Sequence, residues 1–352
     1  MHLKLSASII ASLSGQVLAI AAIYAMQFYV SEDSMREIVM LLGLLRVSTL
    51  ACGLRLEVLP NFHFFQIVFA YIITSIVFSY LIFETKEWHG FAVPELSIFT
   101  LALFYFSSTL WNFASFRVIS KDLLSIFILR LSRPLLLVAV VIALATIGSQ
   151  DLSPLFWISL SFLIPALIGT TFSLRVNQDY SWSRSFYFSY LLFSICYWAL
   201  DFFILSLLIK QEHFVEYFIL FRILNSVATG INVNLRGMHI FSQGDLTSLR
   251  LGIREGIAIL VVQVLATLIC FQFFPEATLA VTLFCMLVSR MCFTLTSSDE
   301  IVRQNKRFTF YGTILCLSLI VILGNGLLPL VAAALAPMML CLLSLSLRRF
   351  AG

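Results

Sequence analysis

Arg175-Val-Asn-Gln-Asp-Tyr-Ser-Trp-Ser-Arg184 is a polar interruption in a chain that is otherwise almost continuously apolar, and its position decides the fold. Six apolar runs precede it, near 6–30, 38–54, 64–83, 96–116, 134–149 and 155–174. Six more follow, near 185–209, 214–235, 253–274, 277–297, 308–323 and 327–347. A helix crosses a hydrocarbon core in about 20 apolar residues, so each run is read as one membrane span. The widest polar gap among the runs, 236–252, is long enough only for a loop, and Gly324-Asn325-Gly326 alone separates the last two. Composition excludes a soluble domain of any size: 61% of the 352 residues are hydrophobic and 11% charged, against about 25% charged in soluble proteins. The runs are continuous rather than alternating, which selects helices over barrel strands. The fold expected is all-α and polytopic, with about twelve transmembrane helices in two six-helix lobes, 1–176 and 184–352, joined by a cytoplasmic linker at 177–183.

Both halves then start on the same side of the membrane, as parallel repeats do. The points of likeness between them are few. Leu-Leu-Arg46-Val in the second span and Leu-Phe-Arg222-Ile in the eighth each place an arginine inside the membrane, and basic stretches follow the fourth and tenth spans. Charge sets the orientation, because basic loop residues stay cytoplasmic. Sixteen basic residues fall on one face, among them Arg117, Lys121, Arg130, Arg133, Arg303 and Lys306; the other receives Arg36, Lys86 and Lys210 among many acids. This places both termini in the cytoplasm and makes the net charge of +4 a matter of orientation rather than of nucleic-acid binding. The first run leads into Ser31-Glu32-Asp33 with no small-residue cleavage pattern, so it is read as a retained span.

Signals for catalysis or metal binding are scarce. The seven cysteines sit in apolar runs without paired ligand spacing and read as small hydrophobes. The five histidines are scattered, no glycine-rich phosphate loop occurs, and no serine stands in a nucleophile elbow. No cofactor and no metal site is expected.

Charges within the spans carry the sharpest local information, since a central charge costs roughly 2.5–3.5 kcal/mol on insertion scales. Arg46 lies in span two, Asp201 in span seven, Arg222 in span eight and Arg290 toward the cytoplasmic part of span ten. Asp201 and Arg222 stand at similar depth, roughly 15 Å below the outer turn near Lys210. Two readings apply: a structural ion pair across the hairpin, or a carboxylate coupling a proton or sodium ion to movement. Arg46 has no sequence-near partner; it either faces a wet cavity that accepts an anion, for which a planar guanidinium fork is suited, or snorkels or pairs elsewhere. Arg290, nearer an interface, reads first as a snorkelling side chain. Gln16, Asn112, Asn225, Asn232, Asn234 and Gln263 are polar residues in or near spans, read first as interhelical hydrogen-bonding groups and second as sugar contacts. Trp88, Trp157 and Trp182 near span ends read as interfacial anchors, and Pro134 and Pro165 as helix starts or kinks.

Several stretches together resemble bacterial polysaccharide and O-antigen flippases. Arg46 through Asn61, with Arg55-Leu-Glu57 running into Leu59-Pro60, is similar to the end of that family's second span. Trp111-Asn112 with Arg117 through Lys121 resembles its fourth-span exit, and Ala199 through Leu205 followed by Glu216 through Leu224 its seventh-to-eighth passage. Arg303-Gln-Asn-Lys306-Arg307-Phe308 is similar to its tenth-to-eleventh loop. The chain departs from the family at Val30 through Met35, where a Leu-Gly-Pro is usual, and at Leu56, where an aromatic is usual. The resemblance implies a lipid-linked oligosaccharide translocase of the multidrug/oligosaccharidyl-lipid/polysaccharide transporter superfamily, in a bacterial inner membrane. It would be a transporter rather than an enzyme, moving a polyprenyl-diphosphate-linked oligosaccharide outward by alternating access. Arg46, with Arg222 or Arg290, would hold the diphosphate, and Gln16, Asn112 and Gln263 the sugars; membrane lipids and other polysaccharide-assembly membrane proteins are the partners implied. Two alternatives stand beside it: an ion-coupled exporter of small molecules from the same superfamily, and a membrane polysaccharide polymerase or glycosyltransferase.

Overall fold

The structure is a computed structural model that describes residues 2–54, 64–84, 97–118, 123–147, 153–173, 183–209, 300, 304–325 and 329–349. Regular structure among these residues is helical throughout: α1 (His2–Met26), α2 (Glu32–Gly53), α3 (Phe64–Glu84), α4 (Ile98–Val118), α5 (Leu123–Ile147), α6 (Pro154–Ser173), α7 (Arg184–Ile209), α8 (Lys306–Gly324) and α9 (Pro329–Arg349). Each coincides with one expected span. The runs at 214–235, 253–274 and 277–297 lie outside the described residues. The chain divides into two compact units, Met1–Ser181 and Trp182–Gly352.

Local chemistry explains where the helices stop. Ser31 caps α2, its hydroxyl accepting the Ser34 N–H at 3.4 Å, with Glu32 and Asp33 in the first turn facing the positive helix end. At the other end Leu54 turns left-handed at φ 46° and closes on the Leu50 carbonyl at 2.9 Å. Asn305 caps α8 through the N–H groups of Arg307 and Phe308, and Asn325 closes it.

The largest boundary difference from the sequence reading is in α5; α2 also begins earlier, at Glu32 rather than near 38, and α1 runs over His2–Met26 rather than 6–30. The fifth helix begins at Leu123 rather than near 134, so Arg130 and Arg133 lie on the helix and not in the loop before it. Pro134 sits inside it, as Pro165 and Pro337 sit inside α6 and α9; neighbouring helices and hydroxyl side chains re-satisfy the backbone that proline frees in membrane helices.

Among the described residues, four helical segments are long and apolar enough to cross a membrane: Phe64–Glu84, Phe127–Ile147, Arg184–Ile204 and Lys306–Gly324. In α3 the arrangement of side chains is the reverse of a water-soluble helix. Its buried face is Ile67, Tyr71, Ser75, Ser79 and Ile82, while Phe65, Phe69, Ile73, Ile76 and Val77 point outward, Phe65 being 82% exposed. Against water such a stripe would be a large apolar patch. Against lipid the apolar side loses nothing, and small or hydroxylated residues let helices approach each other.

In the first unit α4 is the central helix, packed on α6, α3, α2 and α5, while α1 lies along α5. Thr74 on α3 donates to the Cys52 carbonyl of α2 at 2.7 Å. Close approach elsewhere depends on glycine. A Cβ on Gly15 of α1 would meet the Arg130 carbonyl oxygen of α5 at 2.7 Å, and one on Gly169 of α6 would meet Leu129 at 2.7 Å and Ala114 at 2.9 Å. In the second unit α7, α8 and α9 pack together, with Gly312 under the Phe193 ring, Phe193 and Phe308 at 5.6 Å between centroids, and the Ser189 and Thr309 hydroxyls hydrogen-bonded across α7 and α8.

Candidate functional site

One cluster of buried polar groups in the first unit lies where α4, α5 and α6 meet. Arg133 projects from α5, Trp111 from α4 and Phe162 from α6. The guanidinium carbon of Arg133 stands 3.9 Å from the Phe162 ring centroid and 5.2 Å from that of Trp111. Phe162 is fully buried and braced edge-on by Trp111 at 5.9 Å and Phe104 at 6.0 Å, so it forms a fixed floor under the cation. A desolvated cation over an aromatic face gains about 2 kcal/mol or more. Removing an ion from water costs several kcal/mol even after relaxation.

The rings therefore offset only part of the burial. Arg133 is 9% exposed, and among the described residues its Nε and Nη2 have no hydrogen-bond partner. The same holds for Trp111 Nε1 and the Ser115 hydroxyl. Aromatic contacts act through the face of a guanidinium, whereas its N–H groups lie in the plane. One turn before Arg133, Arg130 donates from Nη2 to the Ser115 carbonyl at 3.5 Å, so two guanidinium groups approach the same stretch of α4. Gly15 fits α1 against this part of α5, where a Cβ would meet the Arg130 carbonyl and Pro134.

The sequence-derived candidates distribute unevenly around this cluster. Asn112 is half-buried on α4 beside Trp111, and Gln16 is half-buried on α1 beside Gly15, its Oε1 buried without a partner among the described residues. Arg46 lies on α2, which packs on α4, but its side chain is outside the described part. Asp201 is buried on α7. Arg222, Arg290 and Gln263 lie outside the described residues, and with them the Asp201–Arg222 pair. Arg133 is the residue that sequence reasoning missed: assigned to a cytoplasmic loop by its charge, it belongs to the helix. The available signal was Leu123 through Leu131, too apolar for a loop, with Arg130 and Arg133 three residues apart and hence on one helical face.

Carboxylates are buried as well, Glu37 on α2 in the first unit and Glu300 in the second. Glu300 is 1% exposed; Asn305 Nδ2 donates to its Oε2 at 2.6 Å and the Ser344 hydroxyl to its Oε1 at 2.7 Å. Asn305 thus caps α8 and holds Glu300, while Ser344 ties the same carboxylate to α9. Among the described residues no three His, Cys, Asp or Glu side chains group to hold a metal ion.

Three solved structures resemble the chain over most of its length. A MATE protein in complex with Br-NRF is 14% identical, with 99% of this chain and 97% of that chain covered and a TM-score of 0.47. The MATE multidrug transporter DinF-BH, also solved as a complex, is 14% identical, with 99% and 91% covered and a TM-score of 0.46. An outward-facing multidrug resistance MATE family transporter of the MOP superfamily is 10% identical, with 97% and 92% covered and a TM-score of 0.43. No family model and no curated protein matches the chain.

Proposed function

We propose that this chain is a membrane transporter, a flippase that delivers a polyprenyl-diphosphate-linked oligosaccharide from the cytoplasmic to the outer leaflet of a bacterial inner membrane. The observation that carries the reading is the placement of polar groups in the first unit: apolar side chains cover the outer faces of α3 and α5, while hydroxyls and a guanidinium are buried among apolar side chains between helices. Ionisable groups inside membrane spans are costly, and they characteristically mark pathways and binding sites. An amphiphilic cargo fits this distribution, its sugars and diphosphate meeting the polar groups held between helices and its prenyl tail remaining in the surrounding lipid. The stretches that resemble polysaccharide flippases are what supports this choice of cargo. Arg46 holds the diphosphate, Arg222 or Arg290 assists, and Gln16, Asn112 and Gln263 meet the sugars.

Replacing Arg46 by Ala tests the assignment. The variant should insert normally and lose outward delivery of the lipid-linked sugar in reconstituted vesicles; undiminished delivery would overturn it. A second reading, export of a small molecule coupled to a proton or sodium ion, draws on Asp201, a carboxylate buried within a membrane helix. It predicts that Asp201→Asn abolishes ion-driven export while lipid-linked sugar is no substrate.

A further inference from the structure

The geometry points to a phosphate-oxyanion site in the first unit, built from Arg133 and Trp111 where α4, α5 and α6 meet, and separate from Arg46. It rests on the flippase reading only in taking the anion to be the cargo's diphosphate.

Three observations converge on it. First, three N–H donors, Arg133 Nε and Nη2 and Trp111 Nε1, are buried and without partners among the described residues. A buried polar group without a partner is rare, and each instance requires an explanation. Second, Arg133 carries a positive charge that no carboxylate neutralises among the described residues, where the ion pair present is the surface pair Arg36–Glu32. Third, the orientation is fixed. Phe162 occupies one face of the guanidinium at 3.9 Å, and that floor is itself held by Trp111 and Phe104, so the side chain is held in place while the hydrogen-bonding capacity of its edge is left unused among the described residues. A planar edge with adjacent N–H groups matches two oxygens of one phosphate. The indole N–H adds a neutral donor, and the unpartnered Ser115 hydroxyl one helical turn away adds another.

The alternative roles for such an arginine fit less well. A structural cation would be saturated, as Arg130 is partly by the Ser115 carbonyl. A snorkelling arginine would place its head in water, whereas Arg133 is 9% exposed with Nε and Nη2 buried.

The ligand chemistry has three sources: the diphosphate of a lipid-linked cargo, the headgroup of an anionic phospholipid, and a free phosphate. Equilibrium dialysis of the full chain in neutral detergent against labelled inorganic pyrophosphate measures the site directly. Arg133→Gln should weaken binding at least tenfold, and Arg133→Lys, which keeps the charge but loses the planar edge, by an intermediate factor. Trp111→Phe, which keeps the ring and removes the N–H, should weaken it about threefold to tenfold. Elution of each variant as a single species controls for folding, and the lysine variant keeps the test decisive where glutamine disturbs packing. Competition identifies the source. Displacement by a polyprenyl diphosphate but not by phosphatidylglycerol assigns the site to cargo, and displacement by phosphatidylglycerol overturns the cargo assignment in favour of bilayer lipid. No pyrophosphate binding to the native chain, or equal binding by Arg133→Gln, would overturn the site. Arg133-dependent binding in a chain that delivers no lipid-linked sugar would leave the site standing and remove the flippase reading.

Discussion

Arg133 in the first unit and Glu300 in the second are both buried charges on or beside membrane helices, yet their surroundings are opposite. Both oxygens of Glu300 accept short hydrogen bonds, from Asn305 and Ser344. The donors Nε and Nη2 of Arg133 have none among the described residues, and aromatic rings occupy its surroundings instead. Burial alone therefore does not distinguish a structural charge from a binding one; the state of its hydrogen-bonding capacity does. Glu300 is finished by the protein and locks the entry of α8 to α9. Arg133 is left open by the protein, which is what a site for an external anion requires.

The comparison breaks most decisively at Arg133. Replacing it by Met removes an unneutralised buried charge and keeps the volume near the rings, so stability should rise by about 1 kcal/mol or more while anion binding and delivery are lost. A melting midpoint in detergent that falls, with delivery intact, would make Arg133 as structural as Glu300. The opposite change is expected at Glu300. Glu300→Ala strands the Asn305 amide and the Ser344 hydroxyl, and the unfolding free energy should drop by about 2–3 kcal/mol, with Glu300→Gln recovering part of it and pyrophosphate affinity unaltered. An effect on pyrophosphate affinity without one on stability would reverse the roles of the two charges. The smallest change sharpens the comparison rather than testing it. Gly15→Ala pushes α1 off the Arg130 carbonyl, for a stability loss of about 1 kcal/mol. Because α5 carries both arginines, anion affinity should weaken with it, by less than in Arg133→Gln.

Much of the helical layout was legible because lipid imposes a simple rule: a span must be apolar and long enough, and interruptions must be polar. Gly324-Asn325-Gly326 was enough to separate α8 from α9, whose described ends are Gly324 and Pro329. The start of α5 was illegible for a related reason. The rule that sends basic residues to cytoplasmic loops treats every arginine as solvated, and Arg133 is solvated instead by Phe162 and Trp111 from two other helices. No local pattern encodes a partner contributed by the helix that follows. The same limit applies to Glu300, whose partner Ser344 stands on α9. Trp111 and Asn112 were singled out as a pair of residues with family likeness; that the indole would border a cation is a property of packing, not of sequence.

The aromatic floor under Arg133 also constrains the order in which the chain enters the bilayer. The α3 segment Phe64–Glu84 is apolar enough to partition into lipid on its own. In α5 the strongly apolar part is Phe127–Ile147, and it contains both Arg130 and Arg133, whose unsolvated insertion would be costly near the bilayer centre. Phe162 belongs to α6, which leaves the ribosome later. On that account α5 is expected to keep its arginines near the headgroups until α6 supplies the Phe162 ring, a two-step docking in which the surroundings of Arg133 are completed only with the last helix of the unit.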